Sequence, residues 1–364
     1  MRKLQNTLYV TTPMAYLSLD GETIVIQDTD ACLGRIPLLN LENIVSFGYR
    51  GASPQLMGAC AERGIGLCFL TQHGRFLARV SGPVCGNVLL RTEQYRIAGA
   101  EEDALPIARM FLTGKIFNSR WSLERTLRDH ALRVDAERLK GAIWQMKQAL
   151  DALTRADSIV LHRAAQAVDA LDALTRADSI EALLGIEGVA AKAYFSVFDQ
   201  LILKDRACFR FDGRNRRPPL DPVNALLSFT YSILGLEIAG ALEAVGLDPA
   251  VGFLHALRPG RASLALDLLE ELRAPFADRF VLSLINLGTI TESDFARKEN
   301  GAVYLTDEAR KRFLAAWQKR KQEVITHPFL KEKLPWGLVP HAQAMLMSRY
   351  IRRDLDAYPP FMWK

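Results

Sequence analysis

The chain has 364 residues, 49% of them hydrophobic and 24% charged, with a formal net charge of +5. These values exclude a disordered or collagen-like chain, and the mildly basic balance permits nucleic acid as a partner without requiring it. The five cysteines have no metal-ligand spacing, and the N-terminus has no signal peptide, so we expect a cytoplasmic protein. No run approaches about 18 uncharged apolar residues, so we expect no membrane span.

The first 95 residues have the pattern of a β-rich domain with one helix. "AYLSLDGETIVIQ" alternates in polarity on both sides of Asp20-Gly21, which predicts a tight hairpin. "SPQLMGACAERG" predicts a short helix that Ser53 caps, with Pro54 at its first position and Gly64 after its end. "IGLCFLTQHGRFLARVSG" predicts a second hairpin that turns near its His-Gly pair.

Apolar residues recur with helical spacing from about residue 100 onward. Asp248-Pro249 is a cap-like helix start, so we expect His255 in the second turn of a helix that a Pro-Gly pair ends. Ser263 is expected to cap the next helix. The predicted fold class is α+β, with a β-rich N-terminal domain (1–95) followed by an all-α helical domain (96–364).

One segment is repeated within the helical part. "ALDALTRADSI" occurs at 149–159 and again at 170–180. In the second copy, Asp178 is followed three residues later by Glu181, a capping-box pattern that predicts the start of a helix. The first copy lacks this pattern, so we interpret it as a tandem insertion in an exposed helical connector.

The helix predicted after the second copy contains "LLGIEGVAAKAYF", in which Glu187 lies between two glycines in an apolar segment. A buried carboxylate is costly unless it is paired, protonated or bound to a metal. An ion pair with Lys192 or with a distant arginine is one explanation, and a metal site is the other. Gly185 and Gly188 would open one face of the helix for a neighbouring helix or for DNA.

Further acids and a histidine follow in "DPAVGFLHALRPGRASLALDLLEELR". Asp267 and Glu270 are three residues apart and share a helix face. Together with Glu187 and His255, they form a donor set that suits Mn²⁺ or Mg²⁺ better than Zn²⁺. Taken singly, a histidine on an apolar face is more often a hydrogen-bonded core residue, and two such acids are more often a solvated helix face.

The loop "KDRACFRFDGRNRRPPLD" is rich in arginine and precedes a helix. Arg214, Arg216 and Arg217 could hold phosphates there, although a solvated loop is an equal alternative. The helix "EARKRFLAAWQKRKQE" is also basic, and an ordinary surface helix explains it as well.

These segments together resemble a known family. "LLGIEGVAAKAYF", "RRPPLDPVNALLSFTYSILG" and "GLDPAVGFLHALRPGRASLALDLLEELR" are similar, in this order, to the serial motifs of the first CRISPR-associated protein, the spacer-acquisition integrase and DNA endonuclease. "GKIFNSRWSLER" and the N-terminal "LYVTTPMAYLSLDGETIVI" fit the same family, and the closing "YPPFMWK" resembles its type I-C branch. The resemblance covers almost the whole chain.

The resemblance implies a divalent metal ion, Mn²⁺ or Mg²⁺, and four catalytic residues, with Asp267 as an auxiliary acid beside the ligands Glu187, His255 and Glu270. It also implies that Tyr231 and Asn224 line the site and that Arg258 and Arg261 meet DNA. Two departures are that Glu270 stands where some members have aspartate and that Lys192 stands where arginine is common.

The resemblance further implies a homodimer joined through the N-terminal domains, with two such dimers flanking a dimer of the second CRISPR-associated protein. The expected substrate is double-stranded DNA with splayed or branched ends. Whether an accessory end-trimming nuclease joins the complex stays open.

The implied reaction is a transesterification, in which a 3′-hydroxyl of the incoming DNA attacks a phosphate in the repeat array. With water as the nucleophile, the same site would nick DNA. Two other functions are compatible with the residues alone: a non-catalytic DNA-binding scaffold, and a helical partner-binding protein that does not contact nucleic acid.

Overall fold

The computed structural model describes residues 6–29, 31–72, 74–80, 82, 88–155, 179–216 and 218–364. The sequence predictions for Arg217, Asp178 and most of the duplicated segment fall outside these residues.

Two β-sheets and one helix form the N-terminal part. The four-stranded sheet has the order β1-β5-β6-β7, in which only β7 is antiparallel to its neighbour, and the three-stranded sheet β2-β3-β4 is antiparallel. The elements are β1 (Asn6–Val10), β2 (Ala15–Asp20), β3 (Thr23–Asp28), β4 (Ala31–Pro37), β5 (Leu41–Ser46), α1 (Pro54–Arg63), β6 (Gly66–Leu70) and β7 (Phe76–Val80).

The turn and cap signals of this part are confirmed. Asp20 pairs with Thr23 across the first hairpin, and Gly21 in the turn has a φ of +58°, a left-handed conformation that glycine adopts at little cost. The Ser53 hydroxyl accepts a hydrogen bond from the amide of Leu56 at the start of α1. Gly64 ends α1 in the left-handed region.

The rest of the chain is mostly helical, so the predicted α+β class is confirmed. It is not entirely helical, because β8 pairs with β9 and β10 pairs with β11 in two short hairpins. The elements are α2 (Val88–Gly99), α3 (Glu101–His130), α4 (Ala136–Arg155), α5 (Ile180–Ser196), α6 (Pro222–Ala244), α7 (Ser263–Leu272), a π-helical segment (Arg273–Asp278), α8 (Arg279–Asn286), β8 (Phe295–Arg297), β9 (Val303–Leu305), α9 (Asp307–Gln322), β10 (Val324–Thr326), β11 (Lys333–Pro335) and α10 (Val339–Ile351).

The four-stranded sheet contributes to two hydrophobic cores. Ile44 and Leu67 face the three-stranded sheet and α1, whereas Val45 and Phe47 face the helices. The Phe47 ring lies 6.0 Å from that of Phe229 in α6. The expected domain boundary near residue 95 falls within α2, which follows the last strand of this sheet.

α6 lies at the centre of the helical part. By length and composition it could cross a membrane, a property that we did not expect from the sequence. However, 61% of its apolar 18-residue stretch is buried inside the protein. Its Glu237 accepts hydrogen bonds from Lys321 and Trp317 at 2.9 and 3.1 Å. These contacts are those of a core helix in a folded protein.

α5 begins one residue later than the capping-box pattern indicates. Ser179 is the N-cap, and its hydroxyl accepts a hydrogen bond from the amide of Ala182 at 3.1 Å. This cap sets the start of the helix that carries Glu187.

Candidate active site

Three helices meet at the side chain of Lys115. Its ammonium forms an ion pair with Glu187 of α5 and another, at 2.8 Å, with Oε2 of Glu270 on α7. The side chains of Lys115, Glu187 and Glu270 are 12%, 26% and 5% exposed. Glu187 therefore does have a basic partner, but this is α3's Lys115, and the expected candidate Lys192 is exposed on α5.

His255 lies on a loop, so the predicted helix around it is wrong. Residues 251–262 between α6 and α7 contain no helical turn. The amides of Phe253, Leu254 and His255 donate hydrogen bonds to the carboxylate of Asp267, at 2.7, 3.0 and 2.9 Å, rather than to helical carbonyl groups. A fully buried carboxylate thus replaces the backbone acceptors of a helix.

Asp267 also sets the orientation of the imidazole. Its Oδ1 lies 2.6 Å from Nδ1 of His255, so this nitrogen carries the proton that the carboxylate accepts. The other nitrogen, Nε2, lies 3.8 Å from Oε1 of Glu270 and keeps its lone pair in the neutral ring. Asp267 thus accepts four hydrogen bonds and positions the histidine.

Gly252 allows this loop to approach α7 closely. A Cβ atom at this position would lie 2.6 Å from Oδ2 of Asp267 and 2.8 Å from the carbonyl carbon of Ser263. Ser263 itself does not cap α7 as expected; it is the first helical residue, and its hydroxyl donates to the carbonyl of Ala256 at 3.2 Å. The loop is therefore fixed to the start of α7 at several points.

Glu270 is an ionised carboxylate in a buried position. Burial would raise its pKa, but the positive charges of Arg273 and Lys115 outweigh this effect and hold the pKa at about 2. The Arg273 guanidinium contacts Oε1 of Glu270 at 3.1 Å. Among the described residues, Oε2 accepts no hydrogen bond of good geometry, so its contact with Lys115 is an ion pair.

The donor set fits a hard divalent cation. Two carboxylates and one neutral imidazole nitrogen are the ligands that Mn²⁺ and Mg²⁺ sites combine, and a carboxylate on Nδ1 is the usual support of a ligating histidine. However, in the part of the chain that the structure describes, no three His, Cys, Asp or Glu side chains stand close enough together to hold a metal as they are. The ammonium of Lys115 stands between the two carboxylates that such a site would require.

A second buried cluster adjoins this one. The ring of Tyr231 on α6 lies between two guanidinium groups, 5.3 Å from that of Arg214 and 5.0 Å from that of Arg273. Its hydroxyl donates to Asp278 at 2.5 Å, and the hydroxyl of Tyr194 donates to the same carboxylate at 3.0 Å. Burial raises the pKa of Asp278 to about 6, against the opposing effect of these hydrogen bonds.

The π-helical turn positions both ends of this cluster. Arg273 at its start reaches back to Glu270, and Asp278 at its end reaches the two tyrosines. Such wide turns occur often at functional sites. Tyr231 thus connects to Glu270 through the arginine that neutralises it.

Asn224 is fully buried and holds the arginine loop in place. Its amide donates to the carbonyl of Gly213 at 2.8 Å and to Asp221 at 2.6 Å, and its oxygen accepts from Arg214. The Arg214 guanidinium also donates to the carbonyl of Asn215 at 2.8 Å.

The other basic residues lie further out. Arg216 and Arg258 are exposed and Arg261 is half-buried, on the loops that hold Arg214 and His255. Sequence reasoning missed Lys115, Arg273 and Asp278, of which Arg273 could have been found because it follows Glu270 by one helical turn.

The chain is similar to proteins of one family over its whole length. A family model described as "CRISPR associated protein Cas1" matches residues 8–319. The protein "CRISPR-associated endonuclease Cas1 1" of Chlorobaculum tepidum is 51% identical over 364 residues, which are all of this chain and all of that protein.

Two solved structures share the fold. A casposase bound to an integration product has a TM-score of 0.80 and 21% identity, and covers 99% of this chain and 95% of its own. A Cas6-RT-Cas1–Cas2 complex has a TM-score of 0.78 and 22% identity, and covers 100% of this chain and 36% of its own. From the match of the family model and the similarity to the Chlorobaculum protein, the chain belongs to the family of the CRISPR-associated protein Cas1.

Proposed function

We propose that this protein is a metal-dependent DNA endonuclease and integrase of CRISPR adaptation, and that it inserts short foreign DNA into the CRISPR array. The observation that carries the proposal is that Glu187 and Glu270 meet at a single ammonium, with Nε2 of His255 lying 3.8 Å from Oε1 of Glu270. The name of the Chlorobaculum relative, an endonuclease, supports the same reaction class.

We propose Glu187, His255 and Glu270 as the ligands of Mn²⁺ or Mg²⁺. Such a cation, when bound, polarises a phosphodiester and stabilises the leaving oxygen. Asp267 is proposed as a positioning residue, because hydrogen bonds from Phe253, Leu254 and His255 already occupy its oxygens.

The residues around the ligands supply charge and orientation. Arg273 lies 3.1 Å from Glu270 and offsets the negative charge of the buried acids. The Tyr231 ring contacts its guanidinium, and a buried hydrogen bond from the Tyr231 hydroxyl to Asp278 fixes that ring. A DNA phosphate that enters the site would therefore meet a fixed positive group beside the ligands.

For DNA binding, we propose phosphate contacts by arginines of the two loops at the site, with Tyr231 and Arg214 at its inner wall. The exposed face of α5 supports this proposal, because a Cβ atom at Gly185 or Gly188 would meet nothing within 4 Å among the described residues. The arginines are Arg214, Arg216, Arg217, Arg258 and Arg261.

The assembly is also a proposal. We propose that residues 1–95 form the dimerisation domain of a homodimer, that residues 96–364 form the catalytic domain, and that a dimer of the second CRISPR-associated protein joins two such homodimers. The structurally similar Cas6-RT-Cas1–Cas2 complex, by its name an assembly of Cas1 with Cas2, supports the second of these partners. An end-trimming nuclease is a further proposed partner, and the cytoplasm is the proposed compartment. The ending "YPPFMWK" is the reason for proposing the type I-C branch of the family.

Labelled branched DNA with Mn²⁺ tests the proposed activity. Glu187→Ala and His255→Ala should form no nicked or joined product while DNA binding is kept. Glu181→Ala is a matched control, since this acid lies exposed on the first turn of the same helix. Equal product from all variants would contradict the assignment of this site.

A further inference from the structure

The position of Lys115 suggests a role in the site beyond stabilising the fold. Its ammonium is 12% exposed and contacts two carboxylates that belong to different helices. Without a positive charge between them, these carboxylates would repel each other in a largely buried environment. The lysine therefore does in this protein what a bridging divalent cation does in a metal site.

We propose that Lys115 is an internal competitor of the catalytic cation: its ammonium holds Glu187 and Glu270 together in the cation-free protein and leaves them when a divalent cation binds. This inference rests on the proposed function, because it assumes the same ligands. It adds a residue that controls how tightly the site takes up its cation.

The acceptor capacity of the acids supports displacement. The carboxylate of Asp267 is saturated by four hydrogen bonds and is not in contact with the lysine. By contrast, Oε2 of Glu270 faces Lys115 at 2.8 Å without a hydrogen bond of good geometry in the described part of the chain. The lysine thus occupies the carboxylate oxygen that still has a free lone pair for a metal ion.

The chemistry of the side chain allows it to withdraw. Lysine carries a point charge on a flexible four-carbon stem, unlike arginine with its rigid planar fork. Glu270 keeps Arg273 as a second positive neighbour at 3.1 Å, so it stays ionised when the ammonium leaves. The site can therefore exchange one cation for another without rearranging α3, α5 or α7.

A divalent ion and the Lys115 ammonium would compete for the same two carboxylates. A divalent ion bound between Glu187 and Glu270 would lie within a few ångströms of the Lys115 ammonium in its present place, and the repulsion between them in a buried site is large. Binding of the ion therefore includes the cost of removing the lysine, and a variant without this charge should bind the ion more tightly.

The test is Mn²⁺ binding to the full-length protein without DNA, measured by titration calorimetry. Lys115→Met keeps the length of the side chain and removes the charge, and we expect its affinity for Mn²⁺ to be about tenfold higher or more. Lys192→Met is the matched control, because Lys192 is an exposed lysine on the same helix as Glu187, and its affinity should stay within about twofold of the parent. Unchanged or weaker binding by folded Lys115→Met would overturn the inference.

Two further measurements keep the inference testable if that variant does not fold. Lys115→Gln is neutral and polar, and should show the same increase in affinity. In the parent protein, labelling of Lys115 by an amine-reactive reagent, read by mass spectrometry, should increase when Mn²⁺ is added. Labelling of Lys115 that decreases or does not change when Mn²⁺ is added would count against displacement.

The outcome also separates this inference from the proposed function. Mn²⁺ binding that is lost in Glu187→Ala but unchanged in Lys115→Met would retain the metal site and reject the role of the lysine. A parent protein that binds no Mn²⁺, or binds it equally well in Glu187→Ala, would reject the metal site itself.

Discussion

Asp267 and His255 are joined twice: Oδ1 of the aspartate lies 2.9 Å from the backbone nitrogen of the histidine and 2.6 Å from its Nδ1 atom. One carboxylate oxygen thus sets both the path of the loop and the protonated nitrogen of the ring. The imidazole is held with its Nε2 atom towards Glu270.

Asp267→Asn should separate positioning from ligation. The amide would bring a donor to a place where four donors already converge, so we expect a loss of about 2 kcal/mol in the free energy of unfolding and a 10- to 100-fold loss in Mn²⁺ affinity. Amide exchange of residues 253–255 should increase while exchange elsewhere stays the same. An unchanged exchange rate in this loop would contradict the positioning role.

Gly252→Ala should damage the same loop from its other side. The added Cβ would meet Asp267 and the backbone of residues 263 and 264 at 2.6 to 2.9 Å, and the backbone atoms cannot yield easily. We expect loss of cleavage activity and a lower melting temperature. Gly235→Ala on α6 is the control, since nothing described lies within 4 Å of its added methyl group. Equal behaviour of the two variants would contradict the close approach.

Tyr231→Phe should loosen the buried cluster behind the ligands. Asp278 would keep the Tyr194 hydroxyl but lose its donor at 2.5 Å, and an under-satisfied buried carboxylate costs about 1–3 kcal/mol. Denaturant unfolding measures this loss. Tyr194→Phe should cost a similar amount but leave Arg273 stacked on the Tyr231 ring, so its activity should fall less.

Gly188→Ala should stabilise the protein. Gly188 lies in the middle of α5 and is exposed to solvent. Among the described residues, nothing lies within 4 Å of the place that a Cβ atom would occupy there. Alanine should therefore raise the free energy of unfolding by about 0.5–1 kcal/mol. If the face of α5 meets DNA as proposed, the same variant should bind branched DNA more weakly. A loss of stability would show that the glycine is needed for the fold itself.

His327 should make stability depend on pH. Burial lowers its pKa below the usual 6.5, against the opposing effect of the hydrogen bond that its Nε2 donates to Gln343. Its Nδ1 accepts from the amides of Phe329 and Leu330. The unfolded chain therefore binds the proton first as the pH falls through 6.5. Stability from this group is complete above pH 6.5 and decreases as the pH falls towards the folded pKa.

The measurement is urea unfolding of the parent protein and His327→Gln between pH 5 and 8. The variant should be less stable at pH 8 but should lose less stability on acidification than the parent. Parallel pH profiles would show that the histidine does not contribute to the slope.

Much of the architecture follows from local signals. Ser53, Gly64 and the Asp20-Gly21 turn each act within four residues of their own position, so the sequence predicts α1 and the first hairpin directly. Glu187 was recognisable as a special residue because an acid in an apolar helix requires a partner.

The rest depends on contacts between distant residues. Asp267 follows the Phe253 amide by 14 residues in the chain, and it satisfies three backbone donors that a helix would otherwise satisfy. A helix signal at Asp248-Pro249 cannot reveal this competitor. Lys115 precedes Glu187 by 72 residues, so no local pattern joins them.

The loop of His255 is also attached at its beginning. Gln94 of α2, which is fully buried, donates to the carbonyl groups of Asp248 and Val251 at 2.8 Å each and accepts from the amide of Asp248 at 2.9 Å. α2 is the helix that follows the last strand of the four-stranded sheet. A change in the tilt of α2 relative to α7 would pull on the two ends of one short loop in different directions. The position of the imidazole therefore depends on both α2, which follows the sheet, and α7, which carries Glu270. A partner that shifts one of these helices relative to the other would move the His255 ring.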